Sequence, residues 1–166
     1  WPAHLSGAIL ILHNPSHEIY SYVENVDKIK KNKFGYLDMV TRHRSPGSTL
    51  KPFLYGMALD YGIVHEASLL TDVSRNFAGY APKNFDRKTQ GAVPLYLALQ
   101  QSLNIPAVQV GYHLTPYFFL KKLRQSGLTL LVDSPNLAIF LGGLGMNLED
   151  LTRLFSSLAT QGEVYP

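Results

Sequence analysis

The sequence predicts an α+β fold, in which an N-terminal β-hairpin precedes a mainly helical body. Residues 6–25 contain two short runs of β-branched and aromatic residues, with turn-forming residues between them. From Leu50 onward, apolar residues recur at the three- and four-residue spacing of buried helix faces. Because the strands come first and the helices follow, we expect the two kinds of element to be segregated.

The hairpin is predicted from residues 9–12 and 19–23, which are separated by the turn residues Asn14, Pro15, Ser16 and His17. Its first strand is apolar without alternation, so we expect both of its faces to be covered. A two-stranded hairpin is not stable by itself. The remaining strands of the sheet are therefore expected to be missing from this sequence.

The first predicted helix has a buried face formed by Leu50, Phe53, Leu54, Met57 and Ala58. Ser45 is a suitable N-cap, which makes Pro46 the first helical residue and places Ser48 in the first turn. Pro52 conflicts with this assignment, because it cannot donate to the Ser48 carbonyl and disfavours helical geometry at the residue before it. Such conflicts occur most often at functional sites.

A long, turn-rich connection over residues 63–90 leads to further helices. Residues 93–103 and 105–114 are predicted to be two helical stretches. Another helix begins at Thr115 and Pro116, as N-cap and first-turn proline, and ends at Gly127. The last helix has the strongest signals: Asn147 as cap, Glu149 and Asp150 in its first turn, and a buried stripe of Leu151, Leu154, Phe155 and Leu158.

Composition excludes several classes of protein. The 166 residues are 46% hydrophobic and 16% charged, which favours one globular domain, 1–166, over a disordered chain. The longest apolar runs are far shorter than the ~20 residues of a membrane-spanning helix. There is no cysteine, so thiolate nucleophiles, disulfides and thiolate metal sites are excluded. The chain starts without methionine or a signal peptide, so we expect it to be a segment of a longer protein.

Charge and histidine patterns favour neither nucleic acid nor metal as a ligand. The net charge is +3, and the one dense basic run consists of Lys28, Lys30, Lys31 and Lys33. This run lacks interleaved aromatic residues, so we interpret it as a solvated loop and predict no nucleic-acid binding. His13 and His17 have the spacing of a helical zinc site, but a turn separates them and no third ligand is evident, so no metal is predicted.

The sequence S-T-L-K, from Ser48 to Lys51, has the spacing of a nucleophile and its base. Residues three apart on a helix are neighbours, so the Lys51 amine could reach the Ser48 hydroxyl. An alcohol is a weak nucleophile until a base removes its proton, and burial can lower the pKa of a lysine enough for this task. The spacing alone is weak evidence, because it also fits a capping serine and a surface lysine.

A second pair, Ser102 and Asn104, lies at the junction between two predicted helical stretches. A hydroxyl and an amide in such a turn can point into one cleft. Considered alone, the pair is better explained as the end of one helix before Pro106.

Three stretches, in this order, make the pattern specific: "RSPGSTLKPFLYGMALDYG", "GYAPKNFD" and "ALQQSLNIPAV". Together they resemble the transpeptidase domain of class A, bifunctional penicillin-binding proteins, most closely the 1C type. The predicted hairpin before them and the segment "LGGLGMNLEDLTRLFSSLATQG" after them fit the same domain. The resemblance therefore covers nearly the whole chain and implies a partial penicillin-binding/serine β-lactamase-like transpeptidase fold.

The resemblance also implies roles for four residues. Ser48 would be the acylated nucleophile, Lys51 its base, Ser102 a proton relay to the leaving group, and Asn104 a ligand of the substrate amide. The implied substrates are peptidoglycan stem peptides ending in D-Ala-D-Ala, which β-lactams mimic. No cofactor is implied. The parent protein is expected to be membrane-anchored in the bacterial envelope, on the periplasmic side of the inner membrane.

The family's third motif, K-[ST]-G on a sheet-edge strand, lies downstream of the second motif. Nothing after Asn104 has this pattern, and Lys88-Thr89-Gln90 precedes Ser102 and lacks the glycine. We therefore expect a domain truncated before the third motif, with weak or no activity by itself and an exposed sheet edge prone to self-association. The alternatives are a serine β-lactamase or D,D-carboxypeptidase, or a non-catalytic binding module of the same fold.

Overall fold

A computed structural model of the chain describes residues 6–25 and 36–165. The basic run at Lys28, Lys30, Lys31 and Lys33 lies outside the described residues. The strands are β1 (Ile9–His13), β2 (Glu18–Val23), β3 (Leu69–Asp72) and β4 (Gly91–Pro94). The α-helices are α1 (Lys51–Asp60), α2 (Leu95–Gln100), α3 (Asn104–Leu114), α4 (Pro116–Gln125) and α5 (Leu148–Ser156). Short 3₁₀ helices occupy Gly47–Leu50, Leu137–Leu141 and Ser157–Ala159. The elements confirm the predicted α+β class.

The described residues divide into two compact units. The first unit comprises 6–25, 36–44, 124–131 and 145–165, and the second comprises 45–123 and 132–144. The hairpin and α5 belong to the first unit. The second unit contains α1, α2, α3, most of α4 and a second hairpin, and it carries all four residues to which the sequence assigns chemistry.

The predicted N-terminal hairpin is confirmed, but the expected covering of both faces of its first strand is wrong. β1 and β2 pair antiparallel from Ile9↔Val23 to His13↔Glu18, with a bulge at Ile11/Leu12. Ile9 and Ile11 are each 51% exposed. The pleat directs them away from Leu10 and Leu12, which line a small cavity together with residues of α5. One face of β1 is therefore covered by a helix, and the other faces solvent among the described residues.

The last helix begins as predicted but buries less than predicted. The Asn147 side chain accepts a hydrogen bond of 2.7 Å from the Asp150 backbone N–H, which confirms the cap. Leu154 is buried, whereas Phe155 is 39% and Leu158 is 63% exposed. Leu158 leaves the predicted stripe because the α-helix ends at Ser156 and a 3₁₀ turn follows, which rotates Leu158 off the helical face.

A second hairpin was not predicted from the sequence. Its first strand, β3, lies inside the long connection 63–90, and its second strand, β4, follows that connection directly. β3 and β4 pair antiparallel from Leu69↔Pro94 to Asp72↔Gly91. This hairpin is a separate two-stranded sheet, so among the described residues β1 and β2 stay without the further strands that were expected to be missing. Residues 93–94, predicted as helix, are strand. Each strand has only four residues and their partners lie far apart in the sequence, so no periodicity or short turn signals the pairing.

The core of the second unit is formed where α1 and the 3₁₀ helix Leu137–Leu141 pack against α3. Its fully buried side chains include Leu54, Tyr55, Val108, Phe119 and Phe140. α4 begins as predicted, because the Thr115 hydroxyl accepts from the Phe118 backbone N–H at 3.3 Å. None of the helices in the described residues is long and apolar enough to span a membrane.

Gly142 allows the chain segment before Ser48 to approach the 3₁₀ helix Leu137–Leu141 closely. It ends that helix with φ of +95°, and a Cβ added there would lie 2.5 Å from both Cα and N of Gly47. A side chain at this position must therefore displace backbone as well as adopt a strained conformation.

We predict that Gly142→Ala lowers the free energy of unfolding by at least about 2 kcal/mol, because left-handed strain and backbone overlap add. The measurement is urea-induced unfolding. Gly56→Ala is the matched control, because Gly56 lies inside α1 with no atom within 4 Å of an added Cβ. It should stabilise the protein by up to about 1 kcal/mol. Equal effects of the two substitutions would contradict the role given to Gly142.

Candidate active site

The segment that carries Ser48 is a 3₁₀ turn, Gly47–Leu50, rather than the first turn of an α-helix. The predicted N-cap role of Ser45 is wrong. Its hydroxyl donates to the Gly142 carbonyl at 2.7 Å and accepts from the Gly47 N–H at 3.2 Å. Ser45 therefore holds the chain just before the 3₁₀ turn. Pro46 is the N-cap residue of that turn and makes no side-chain hydrogen bond.

The expected conflict at Pro52 does not exist. The α-helix begins at Lys51, so Pro52 lies in its first turn, where backbone N–H groups need no intrahelical acceptor. The Lys51 backbone N–H completes the 3₁₀ turn by donating to the Ser48 carbonyl. The 3₁₀ turn thus places Ser48 and Lys51 in successive turns without any loss of hydrogen bonding.

The Lys51 side chain is buried and bonded to the second predicted pair. Lys51 is 1% exposed, although it ends in an ammonium group. Its Nζ donates to the Ser102 carbonyl at 2.6 Å, to Ser102 Oγ at 3.1 Å and to Asn104 Oδ1 at 2.7 Å. Three acceptors match the three donors of an ammonium group, so each N–H is paired although no carboxylate partner lies among the described residues.

Burial lowers the pKa of Lys51 to about 8, from the ordinary value of 10.5. Removing the ammonium from water disfavours the charged form, and the three oxygens offset this only in part. A neutral amine is therefore far more populated near neutral pH than for a surface lysine. A neutral amine has the free electron pair that a general base needs.

Ser48 is exposed, in contrast to Lys51. None of the hydrogen bonds found among the described residues involves its hydroxyl, whereas that of the adjacent Thr49 donates to the Pro46 carbonyl at 2.7 Å. Ser48 and Lys51 thus lie in successive turns. The Ser48 hydroxyl is free, and the buried Lys51 amine is bonded to Ser102 and Asn104.

Ser102 occupies a tight corner between α2 and α3. Its φ is +53°, a left-handed conformation that is uncommon for residues other than glycine. The corner is fixed by backbone bonds from Ser102 N–H to Leu99 and from Leu103 N–H to Ala98, each of 2.9 Å. This conformation directs both the carbonyl and the hydroxyl of Ser102 toward Lys51. Strained backbone of this kind persists only where its surroundings hold it.

Asn104, the first residue of α3, is held at two points by one loop. Its side-chain Nδ2 donates to the Lys83 carbonyl at 2.9 Å, and its backbone N–H donates to Asn84 Oδ1 at 2.8 Å. Asn84 in turn donates from Nδ2 to Asp72 Oδ1 at 2.7 Å. Both Asn84 and Asp72 are buried.

Neither Asn84 nor Asp72 is predicted from the sequence as a site residue. Asn84 lies within "GYAPKNFD", a stretch that carried the family resemblance but no assigned role. Asp72 ends β3, a strand that was itself not predicted. A lone acidic residue in a turn-rich connection gives no signal of its burial.

No metal site appears among the described residues, since no group of three or more metal-ligating side chains occurs there. The histidines at the predicted turn make other contacts: His13 Nδ1 pairs with Ser16 Oγ at 2.7 Å, and the His17 ring stacks on Tyr165.

Comparison with known proteins identifies the same pattern. The model of the penicillin binding protein transpeptidase domain matches residues 7–134. Penicillin-binding protein 1C of Escherichia coli (strain K12) is 42% identical over 98% of this chain and 21% of its own length. Penicillin-binding protein 1F of Bacillus subtilis (strain 168) is 30% identical over 94% of this chain and 21% of its own length. The chain thus spans about a fifth of these relatives.

Solved structures show the same fold. The PonA1 protein from Mycobacterium tuberculosis in complex with penicillin V superposes with a TM-score of 0.82 at 19% identity, over 96% of this chain and 44% of that one. The transpeptidase domain of Burkholderia pseudomallei penicillin-binding protein 3 gives 0.81 at 21% identity, over 97% and 52%. The partial transpeptidase fold expected from the sequence is confirmed.

We predict that Ser102→Gly has a higher free energy of unfolding than Ser102→Ala, by about 1 kcal/mol, because only alanine must bear the left-handed strain. Both variants lose the same hydroxyl, so their difference, measured by urea-induced unfolding, isolates the backbone term. Ser68, which is outside the left-handed region, is the control, and there glycine should be no more stable than alanine. Equal stability of the two Ser102 variants would refute the strain.

Proposed function

Because the chain belongs to the penicillin-binding protein transpeptidase domain family, we propose that it is the acyl-transfer segment of a 1C-type, bifunctional peptidoglycan synthase. The buried amine of Lys51, bonded to the Ser102–Asn104 corner one turn from the exposed Ser48, carries the proposal. An amine kept from water in this way can act as a base near neutral pH. We propose the single domain 1–166 as the unit of function.

The first proposed step is formation of an acyl-enzyme. Ser48 Oγ attacks the carbonyl carbon of the penultimate D-alanine of a stem peptide, while its proton passes to Lys51 Nζ. The bond between that carbon and the terminal D-alanine nitrogen then breaks. Ser102 Oγ, which already contacts Lys51 Nζ, relays the proton to the departing amine. The products are free D-alanine and an ester on Ser48.

The second proposed step transfers the acyl group to an amine of a neighbouring stem peptide. The incoming nitrogen attacks the ester carbon and loses a proton to Lys51, and the bond to Ser48 Oγ breaks with return of a proton to that oxygen. The result is a peptide cross-link and regenerated enzyme. A β-lactam forms the same ester on Ser48, but its opened ring stays attached.

Asn104 is proposed to bind the substrate amide through the hydrogen-bond donor and acceptor that its side chain does not use within the protein. Its Oδ1 accepts from Lys51 and its Nδ2 donates to the Lys83 carbonyl. An amide side chain has a second N–H and a second lone pair, so one donor and one acceptor remain. These can pair with the carbonyl and the N–H of a peptide bond.

We propose that the parent protein acts in the bacterial envelope, on the periplasmic side of the inner membrane to which it is anchored. The relatives named above are bacterial penicillin-binding proteins. We further propose that this segment alone is weakly active or inactive, because no K-[ST]-G sequence follows Asn104 within the 166 residues. In the family, the strand that carries this motif supplies a backbone N–H to the developing oxyanion. The loss of one such donor lowers the rate about 10²- to 10³-fold.

No observation favours a serine β-lactamase or D,D-carboxypeptidase over the transpeptidase. The presence of Ser48, Lys51, Ser102 and Asn104 together argues against a non-catalytic binding module, since such a module needs no buried amine.

We predict that incubation with benzylpenicillin adds one penicillin mass to the protein, and that Ser48→Ala abolishes the adduct. The reason is that Ser48 is the free hydroxyl beside the base. The measurement is intact-protein mass spectrometry on the longest natural form that contains this segment. Ser74→Ala, at another exposed serine, is the control and should label like the wild type. Labelling that persists in Ser48→Ala would remove Ser48 as the nucleophile.

Self-association is proposed through the N-terminal hairpin. β1 and β2 form a two-stranded sheet among the described residues, and their exposed side chains include Ile9, Ile11, Tyr20 and Tyr22. Unpaired strand edges with apolar side chains pair readily with other chains.

We therefore expect the mass of this segment, measured by light scattering, to rise with concentration. Ile11→Lys should reduce the rise, because a charge at the exposed position disfavours strand pairing. A monomeric mass at all concentrations would contradict self-association.

A further inference from the structure

We propose that Asp72 and Asn84 are positioning residues of the acyl-transfer site. The pair fixes Asn104 at the start of α3 and thereby fixes the oxygens that hold the Lys51 amine. This inference rests on the proposed function. It extends the site to two residues beyond the four to which the resemblance gives roles. Neither residue is proposed to touch the substrate.

The Asn84 side chain caps α3 from a distant part of the chain. Its Oδ1 accepts from the backbone N–H groups of Asn104 at 2.8 Å and of Ile105 at 3.3 Å. These are the first two N–H groups of α3, which the local cap residue Leu103 cannot satisfy with its side chain. The start of α3, and with it Asn104, is therefore set by residue 84.

Donor and acceptor chemistry allows only one orientation of the Asn84 amide. Its Nδ2 donates to Asp72 Oδ1 at 2.7 Å and to the Lys88 carbonyl at 2.8 Å. Both partners are acceptors only, so the NH₂ group must face them. The oxygen of the amide must then face α3, where it accepts from the N–H groups of Asn104 and Ile105.

The same argument fixes the Asn104 amide. The Lys83 carbonyl, next to Asn84 in sequence, can only accept, so it receives Asn104 Nδ2. Oδ1 is thereby directed to Lys51 Nζ at 2.7 Å. Residues 83 and 84 thus hold Asn104 by its side chain and its backbone together, and the orientation that results is the one that an ammonium group requires.

Asp72 holds this arrangement from the other end. It is 0% exposed, and its second oxygen accepts from the Gln90 N–H at 2.8 Å. A buried carboxylate with two donors directed at it is a strong acceptor, so it fixes the Asn84 amide more firmly than a neutral oxygen would. Disrupting one member of a buried network leaves the others unsatisfied, so the effect should reach Lys51.

The test exchanges the two side chains. Asn84→Asp places two carboxylates against each other, and Asp72→Asn faces the Gln90 N–H with an NH₂ group or loses the bond to Asn84. In the double variant Asp72→Asn/Asn84→Asp, residue 72 donates and residue 84 accepts, while the acceptor for Asn104 and Ile105 is kept. The Lys88 carbonyl loses its donor in this variant, so recovery should be partial.

The readout is the second-order rate of acylation by benzylpenicillin as a function of pH, in the longest natural form of the protein. We expect each single variant to acylate about tenfold more slowly or worse. The acid limb of the rate profile should also move to higher pH, because a loosened corner hydrates Lys51. The double variant should acylate at least about threefold faster than either single variant, with the acid limb returned toward the wild type.

If Asp72 and Asn84 only stabilised the fold, the acylation rate of each variant would fall in proportion to its folded fraction. The pH profile of the folded protein would then stay the same as that of the wild type. Unchanged profiles in folded single variants, or a double variant no better than the worse single one, overturn the proposal. Asp72→Asn is the milder change and decides the question alone if Asn84→Asp does not fold.

Asn76→Asp is the matched control, because Asn76 also lies in the connection and accepts from the Gly79 N–H through Oδ1, which aspartate retains. It should acylate like the wild type with an unchanged profile. Failure of the wild type to acquire a benzylpenicillin adduct refutes the proposed function. Normal wild-type acylation with unaffected network variants refutes the positioning role only.

Discussion

The structure of the site depends on one constraint, the burial of an ammonium group that has no carboxylate partner among the described residues. A charge kept from water needs a full set of acceptors, and Lys51 finds them in the Ser102 carbonyl, Ser102 Oγ and Asn104 Oδ1. Two of these acceptors require Ser102 to adopt a left-handed backbone, and the third requires α3 to begin at Asn104. The backbone conformation of the corner between α2 and α3 thus supplies the acceptors that the buried Lys51 ammonium requires.

The same constraint explains how the rest of the second unit is built. The 3₁₀ turn Gly47–Leu50 brings the chain into α1 so that Lys51 enters the core while Ser48 stays at the surface. On the other side of the amine, buried Asn84 and Asp72 hold the corner from the connection between α1 and α2. A long segment without regular periodicity therefore contains the groups that support the site.

Local signals in the sequence predicted much of the fold. The hairpin turn and the caps at Thr115 and Asn147 involve neighbouring residues and were confirmed. The predicted face of α1 is buried except for Met57, which is partly exposed. Contacts between distant residues were missed: the pairing of β3 with β4, the bond from Ser45 to Gly142, and the burial of Asp72. Two local errors arose where a 3₁₀ turn replaces α-helix, before Lys51 and after Ser156. Resemblance supplied the four site residues, and spacing alone could not show that Lys51 bonds to Ser102 rather than to Ser48.

The chemistry proposed for the site depends on Lys51 being a buried amine with a lowered pKa. Its most direct test is an NMR titration with ¹³C-labelled lysine, in which the Lys51 signal is assigned by its loss in Lys51→Met. We expect one lysine to titrate near pH 8, well below the others. A Lys51 signal that titrates together with those of the surface lysines, near the ordinary pKa of 10.5, would overturn this assignment.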